Sequence, residues 1–110
     1  MGTPGLSLLV LYCTDLDGCR RFYTALGLDF SPEQHGQGPG HWAAVLAGGT
    51  VLELYPATAA RTTGAVRLGL VVTVGDLTPG RHLLYDPDGR AVEVEVHDDP
   101  AGPVPPTATH

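Results

Sequence analysis

Residues 8–14 read LLVLYCT and residues 67–73 read RLGLVVT, and the match between these two runs decides the fold. Both are apolar, β-rich and of strand length. Leu8 overlays Arg67 at an offset of 59 residues. Farther along, GTVLELY from Gly49 overlays GRAVEVE from Gly89 at an offset of 40, and each copy places a Glu four positions after its Gly: Glu53 and Glu93. An offset of 59 against 40 leaves the second copy 19 residues shorter, and the loss falls between Thr73 and Gly80. The chain is therefore an internal repeat with one clipped half.

Outward from the first strand, read over 6–13, comes TDLDGCRRFYTALG at 14–27. Thr14 or Asp15 can cap a helix, and acidic side chains follow in the first turn. Gly27 suits the left-handed position after a helix end. Leu16, Cys19, Phe22, Tyr23 and Leu26 recur at helical spacing, which predicts an amphipathic helix laid on a sheet. Residues 28–33 read as a short edge strand stopped by Pro32, and 34–40 as a loop. Strands at 41–47 and 50–56 are joined by Gly48-Gly49. After a small-residue linker (57–65) come a strand at 66–74, a turn at 75–80 and a second hairpin, 81–85 and 90–96, around the turn DPDG. The first half reads βαβββ and the second a helix-less βββ. The expected organisation is one α+β domain over 1–97, with module one at 6–56 and a shortened module two at 66–97. A Pro-rich tail of polyproline character follows at 98–110.

Composition narrows the function classes. Twelve acidic residues against six basic ones give the 110-residue chain a net charge of −6, and all six basic residues are scattered arginines. Phosphate affinity needs clustered cations, so nucleic acid is excluded as a partner. No run approaches the ~20 apolar residues that span a bilayer. Asp15 and Asp17 come too early for a secretory leader, so a cytoplasmic protein is expected. Cys13 and Cys19 are too few for a disulfide scaffold and match no zinc spacing. They read as a strand thiol and a helix thiol facing one another in a reducing compartment. Abundant Gly, Ala, Pro and Arg without Lys fits a GC-rich bacterial genome.

Three stretches, YCTDLDGCRRFYTALGL at 12–28, GGTVLELYP at 48–56 and DPDGRAVEVEV at 86–96, in this order and within a repeat, resemble the vicinal oxygen chelate superfamily. That group includes glyoxalase I, bleomycin-resistance proteins and extradiol dioxygenases. The resemblance implies two modules side by side, their mixed sheets curling into a cup for a ligand. In metal-using members, the first and last strand of each module line the cup with four ligands. Carried over by position, the last-strand pair is Glu53 and Glu93, but the first-strand positions hold Leu8 and Arg67. Leu8 cannot ligate and Arg67 repels a cation. Two carboxylates alone leave a divalent ion short of ligands, so no ion shared by Glu53 and Glu93 is expected. Arg67 would instead serve as their counter-ion.

Other candidates lie at strand ends. His35 and His41 flank HGQGPGH, either as exposed loop residues or as hydrogen-bonding or acid–base groups at the cup rim. Trp42 suits stacking on an aromatic ligand, and Tyr12 and Tyr55 could add a wall and a hydroxyl, though core packing is the alternative for all three. The expected ligand-binding set is thus Glu53, Glu93, Arg67, Tyr12, Tyr55, Trp42 and His41, with Trp42 near the mouth. Two functions follow. One is a metal-free protein that sequesters a small organic molecule, such as an antibiotic or toxic metabolite. The other is a lyase, isomerase or dioxygenase with a Glu base and a divalent metal (Mn, Fe, Ni or Zn). A degenerate module that serves only assembly is a third option. Leu68, Leu70, Val72, Val92, Val94 and Val96 would lie bare beside the missing helix. A second copy of the chain, the helix of module one or the tail must cover them, and a homodimer that also closes the pocket is favoured.

Overall fold

A computed structural model describes residues 2–73 and 76–98. The first half comprises β1 (Leu8–Cys13), α1 (Leu16–Ala25), β2 (Ser31–Glu33), β3 (His41–Val45) and β4 (Val51–Pro56). The second comprises β5 (Arg67–Val72), β6 (Gly80–Tyr85) and β7 (Ala91–Val96). Their sheets have the orders β1-β4-β3-β2 and β5-β7-β6. In each, the first strand runs parallel to the last and the closing hairpin is antiparallel. The register repeats as well: Val10 stands opposite Glu53 and Gly69 opposite Glu93, which are the same two sequence offsets. Among the described residues the second half has neither a helix nor a counterpart of β2. The α+β fold, with a full first module and a shortened second one, is the observed architecture.

Local chemistry explains the helix ends. Asp15 caps α1 by accepting from the Gly18 amide at 3.0 Å. At the other end Gly27 takes φ 108°, its amide donating to the Thr24 carbonyl at 2.9 Å while Leu28 donates to Tyr23 at 3.2 Å. That pair of bonds is a Schellman motif, which needs a residue free to adopt positive φ. β2 is shorter than expected, and Pro32 is tolerated within it because β2 is an edge strand, paired only to β3.

Each sheet has a back face turned to the core and a front face turned away. Leu11, Cys13, Leu52 and Leu54 are buried at the back of the first sheet, against Cys19, Tyr23 and Leu26 of α1. Val72, Val92, Val94 and Val96, from the second sheet, are buried in the same cluster. The apolar surface expected to lie bare is therefore buried within the chain, in one core cluster shared with α1 and the first sheet, and Leu68 and Leu70 pack half-buried against the same core. This removes the back face as the reason for a homodimer. Apart from Asp98, the Pro-rich tail lies outside the described residues.

The two halves are also joined by polar groups. The turn after β6 holds Asp86, whose carboxylate accepts from the Tyr23 hydroxyl at 2.6 Å and from the Arg90 guanidinium at 2.7 Å. Arg90 donates onward to the Tyr12 carbonyl at 2.6 Å. Asp88 accepts from the amides of Thr14 and Asp15, 2.7 and 2.9 Å away, at the entry to α1. On the outer edge of β1 the linker takes over, with the Tyr12 amide donating to Thr63 Oγ1 at 2.8 Å. A linker side chain thus takes one of the backbone donors on the free edge of β1.

Candidate functional site

Strand alternation puts His41 and Ala43 of β3, Glu53 and Tyr55 of β4, and Val10 and Tyr12 of β1 on the front of the first sheet. His41 begins β3, as the strand read at 41–47 has it, but its side chain is only 1% exposed, which removes the exposed one of its two readings. Its ring is stacked flat on Tyr55, with centroids 4.0 Å apart, and the exposed His35 ring lies 5.2 Å away on another side. Nδ1 lies 3.2 Å from the Pro39 carbonyl, and Nε2 lies 3.3 Å from Glu33 and 3.7 Å from Glu53. Tyr12 extends the aromatic row, 5.8 Å from Tyr55. Partial burial, with the charges of Glu53 and Glu33 nearby, raises the Tyr55 phenol above its ordinary value and keeps it a hydroxyl donor.

Trp42 does not join this face. It stands opposite Leu54, so it points to the helix side, packs against the core and lies beneath the Arg20 guanidinium at 4.7 Å. The expectation of a tryptophan at the mouth fails because an antiparallel neighbour shares the facing of its partner, and Leu54 faces inward.

On the second sheet the front face carries Arg67, Gly69, Val71, Arg81, Leu83, Glu93 and Glu95. They line an open groove of about 530 Å³. Arg67 lies 3.0 Å from Glu93, with both side chains at least half exposed. A side chain at Gly69 would meet nothing, so this residue leaves the floor open. The groove does not include Glu53, Tyr55 or Trp42. The single pocket expected to be bounded by Glu53, Tyr55, Arg67 and Glu93 is instead two surfaces, one on each sheet, because the sheets are not continuous.

The metal centre that this fold builds between modules does not fit these residues. At its four positions stand Leu8, Arg67, Glu53 and Glu93. Glu93 is held by a guanidinium, Glu53 faces His41 rather than Glu93, and Leu8 has no donor. Sequence reading missed two elements. Glu33, at the end of the edge strand, stands opposite His41 in the β2–β3 register. Arg90, directly after the DPDG turn, is buried against Asp86 and Asp88, and the sequence carries no signal of that burial.

Parallel first and last strands, repeated in two unequal modules with front faces open to a ligand, define the vicinal oxygen chelate fold, and the chain has that fold. Solved structures agree. An antibiotic-binding protein from Streptomyces sp. CB03234, TnmS3, superposes with a TM-score of 0.60 at 19% identity, covering 87% of this chain and 98% of that one. A glyoxalase/bleomycin resistance protein from the same organism gives 0.57 at 19% identity over 83% and 99%. A lactoylglutathione lyase from Agrobacterium tumefaciens gives 0.56 at 18% identity over 86% and 95%. No family model and no curated protein matches the sequence.

Proposed function

We propose that the protein binds a small polar organic molecule in the groove of the second sheet and does not run the metal chemistry of the shared centre. The observation that carries this reading is the groove itself. Two arginines and two glutamates surround the exposed side chains of Val71 and Leu83, a mixture that favours a ligand with an apolar body and charged or polar ends. Its volume of about 530 Å³ lies within the roughly 300–1,000 Å³ of drug-sized sites. The likeness to an antibiotic-binding protein supports an antibiotic or toxic metabolite as the ligand class. Arg67 and Glu93 hold the ligand's ends, and Tyr12, Tyr55 and Glu53 offer a second polar-aromatic surface, backed by the buried His41. Two buried free thiols support a reducing, cytoplasmic setting.

A second copy of the chain is proposed as the missing wall. Val71, Leu83 and Tyr85 are 64, 55 and 62% exposed on one front face, which leaves an apolar strip open to water. The interface belongs there rather than at Leu70, which is already packed. The alternative, a lyase, isomerase or dioxygenase using Glu53 as base, is favoured by the proximity of Glu53 to His41 and by the likeness to a lyase.

One set of measurements separates these readings. Purified chain is screened by thermal shift and calorimetry against aromatic antibiotics and polar metabolites, and each bound compound is recovered and weighed by mass spectrometry. Binding that is lost in Arg81→Ala, with the compound recovered unchanged, is the expected result. A compound recovered chemically altered supports the enzyme. Leu83→Asp should shift light scattering from dimer to monomer, and a variant that stays dimeric would remove the shared wall.

A further inference from the structure

The geometry points to a divalent transition-metal site of the zinc class, built by Glu33, His35, His41 and Glu53 within the first module alone. One donor atom from each of these side chains lies within 4.8 Å of all the others. The closest approaches are His41 Nε2 to Glu33 Oε1 at 3.3 Å, His35 Nε2 to the same oxygen at 3.5 Å, and His41 Nε2 to Glu53 Oε2 at 3.7 Å. Ligands of a tetrahedral zinc, each about 2.0–2.1 Å from the ion, stand roughly 3.3 Å apart. Three of the six donor separations are already close to the edges of that tetrahedron.

His41 supplies a second, independent indication. Both of its ring nitrogens face acceptors, the Pro39 carbonyl on one side and two carboxylates on the other. A carbonyl only accepts, so Nδ1 carries the proton, and a neutral ring then presents a lone pair at Nε2 to two negative groups. Such a ring, almost wholly buried, aims Nε2 into the cluster between the Glu33 and Glu53 carboxylates. The Nδ1–carbonyl bond is also the outer-shell contact that orients a metal-binding imidazole. Two imidazoles with two carboxylates form a donor set for zinc and its neighbours, whereas Mg²⁺ and Ca²⁺ take shells of oxygen.

Cys13, Cys19 and Asp88 gather equally closely, but that cluster already holds a cation. The Arg90 guanidinium lies 3.8 Å from both sulfurs and 3.2 Å from Asp88. A metal there would face a fixed positive charge.

Four protein donors close a tetrahedral ion and leave no position for a substrate. The ion would therefore be a clip, tying the loop that carries His35 to β2, β3 and β4. It lies on the other sheet from the groove and stands or falls separately from ligand binding there, although it takes up His41 and Glu53 of the second surface.

The test uses the full chain, stripped with chelator, dialysed and titrated with Zn²⁺ against a chromogenic competitor. One zinc per chain is expected, together with a melting temperature that rises with free zinc. His35→Ala and Glu33→Gln, both at solvent-reachable positions, should keep the far-UV spectrum of the stripped wild type. Each should bind zinc weaker by about tenfold or more. The Co²⁺ form should have the absorption of a tetrahedral nitrogen–oxygen site, without the thiolate charge-transfer band that Cys13 and Cys19 would give. No uptake by the wild type would overturn the proposal. Equal affinity in both variants, or a thiolate band, would overturn it too.

Discussion

Arg90 and Asp86 form the most deeply buried ion pair among the described residues. Their side chains are 3% and 0% exposed, and Asp86 is further bonded by Tyr23. Removing one member leaves the other charged and buried, so Arg90→Met should cost about 3–5 kcal/mol, read from urea denaturation. The pH dependence follows from the same contacts. Burial pushes the Asp86 carboxyl up, but the Tyr23 hydroxyl and the Arg90 amide and guanidinium outweigh it, and the net direction is down. A carboxyl with a lowered folded-state value adds stability above the unfolded range, near about pH 4, and loses it as pH falls through the folded value. The stability gap between wild type and Asp86→Asn should therefore be full at pH 7 and shrink below about pH 4. Little of this could be read in advance. DPDG announces a turn, but nothing in it says that Asp88 will hold the amide of the helix-capping Asp15, 73 residues earlier. Trp42 and His41 were legible only once the register was known, since adjacent residues on a strand must take opposite faces and one rule decides both.

Caps decide the element scale. The Gly18 amide donates to the Asp15 carboxylate, and a Cβ on Gly18 would run into that same carboxylate. Gly to Ala within a helix ordinarily stabilises by about 0.4–1 kcal/mol. Here the gain is offset by the loss of a cap that is itself worth about 1 kcal/mol. Gly18→Ala alone should leave the urea midpoint nearly unchanged. In an Asp15→Ala background it should raise the midpoint, and simple additivity of the two changes would contradict the capping geometry. At this scale the sequence was informative. Hydrophobic spacing located α1, Gly27 marked its end, and the repeat placed every strand of the second half to within a few residues. Strand ends were less legible because they depend on neighbours: β1 starts at Leu8 rather than Leu6, where pairing with β4 begins.

For the whole molecule, one core cluster draws on α1 and on both sheets, so unfolding should be a single transition. Trp42 fluorescence, which reports the first module, and the far-UV signal of both sheets should give coincident urea curves. A separate early transition in the far-UV signal alone would mean that the second sheet is only loosely attached. The cup that the resemblance implies is two surfaces here, and the repeat could not foretell this, because it specifies each module but not the edge at which they meet. That one helix serves two sheets also bears on ancestry. A duplicated half can shed its own helix only where its twin's is within reach, and the loss then binds the halves together. Exchange of either half by recombination with a distant relative would leave a sheet without its lid, so such a chain evolves as one indivisible unit.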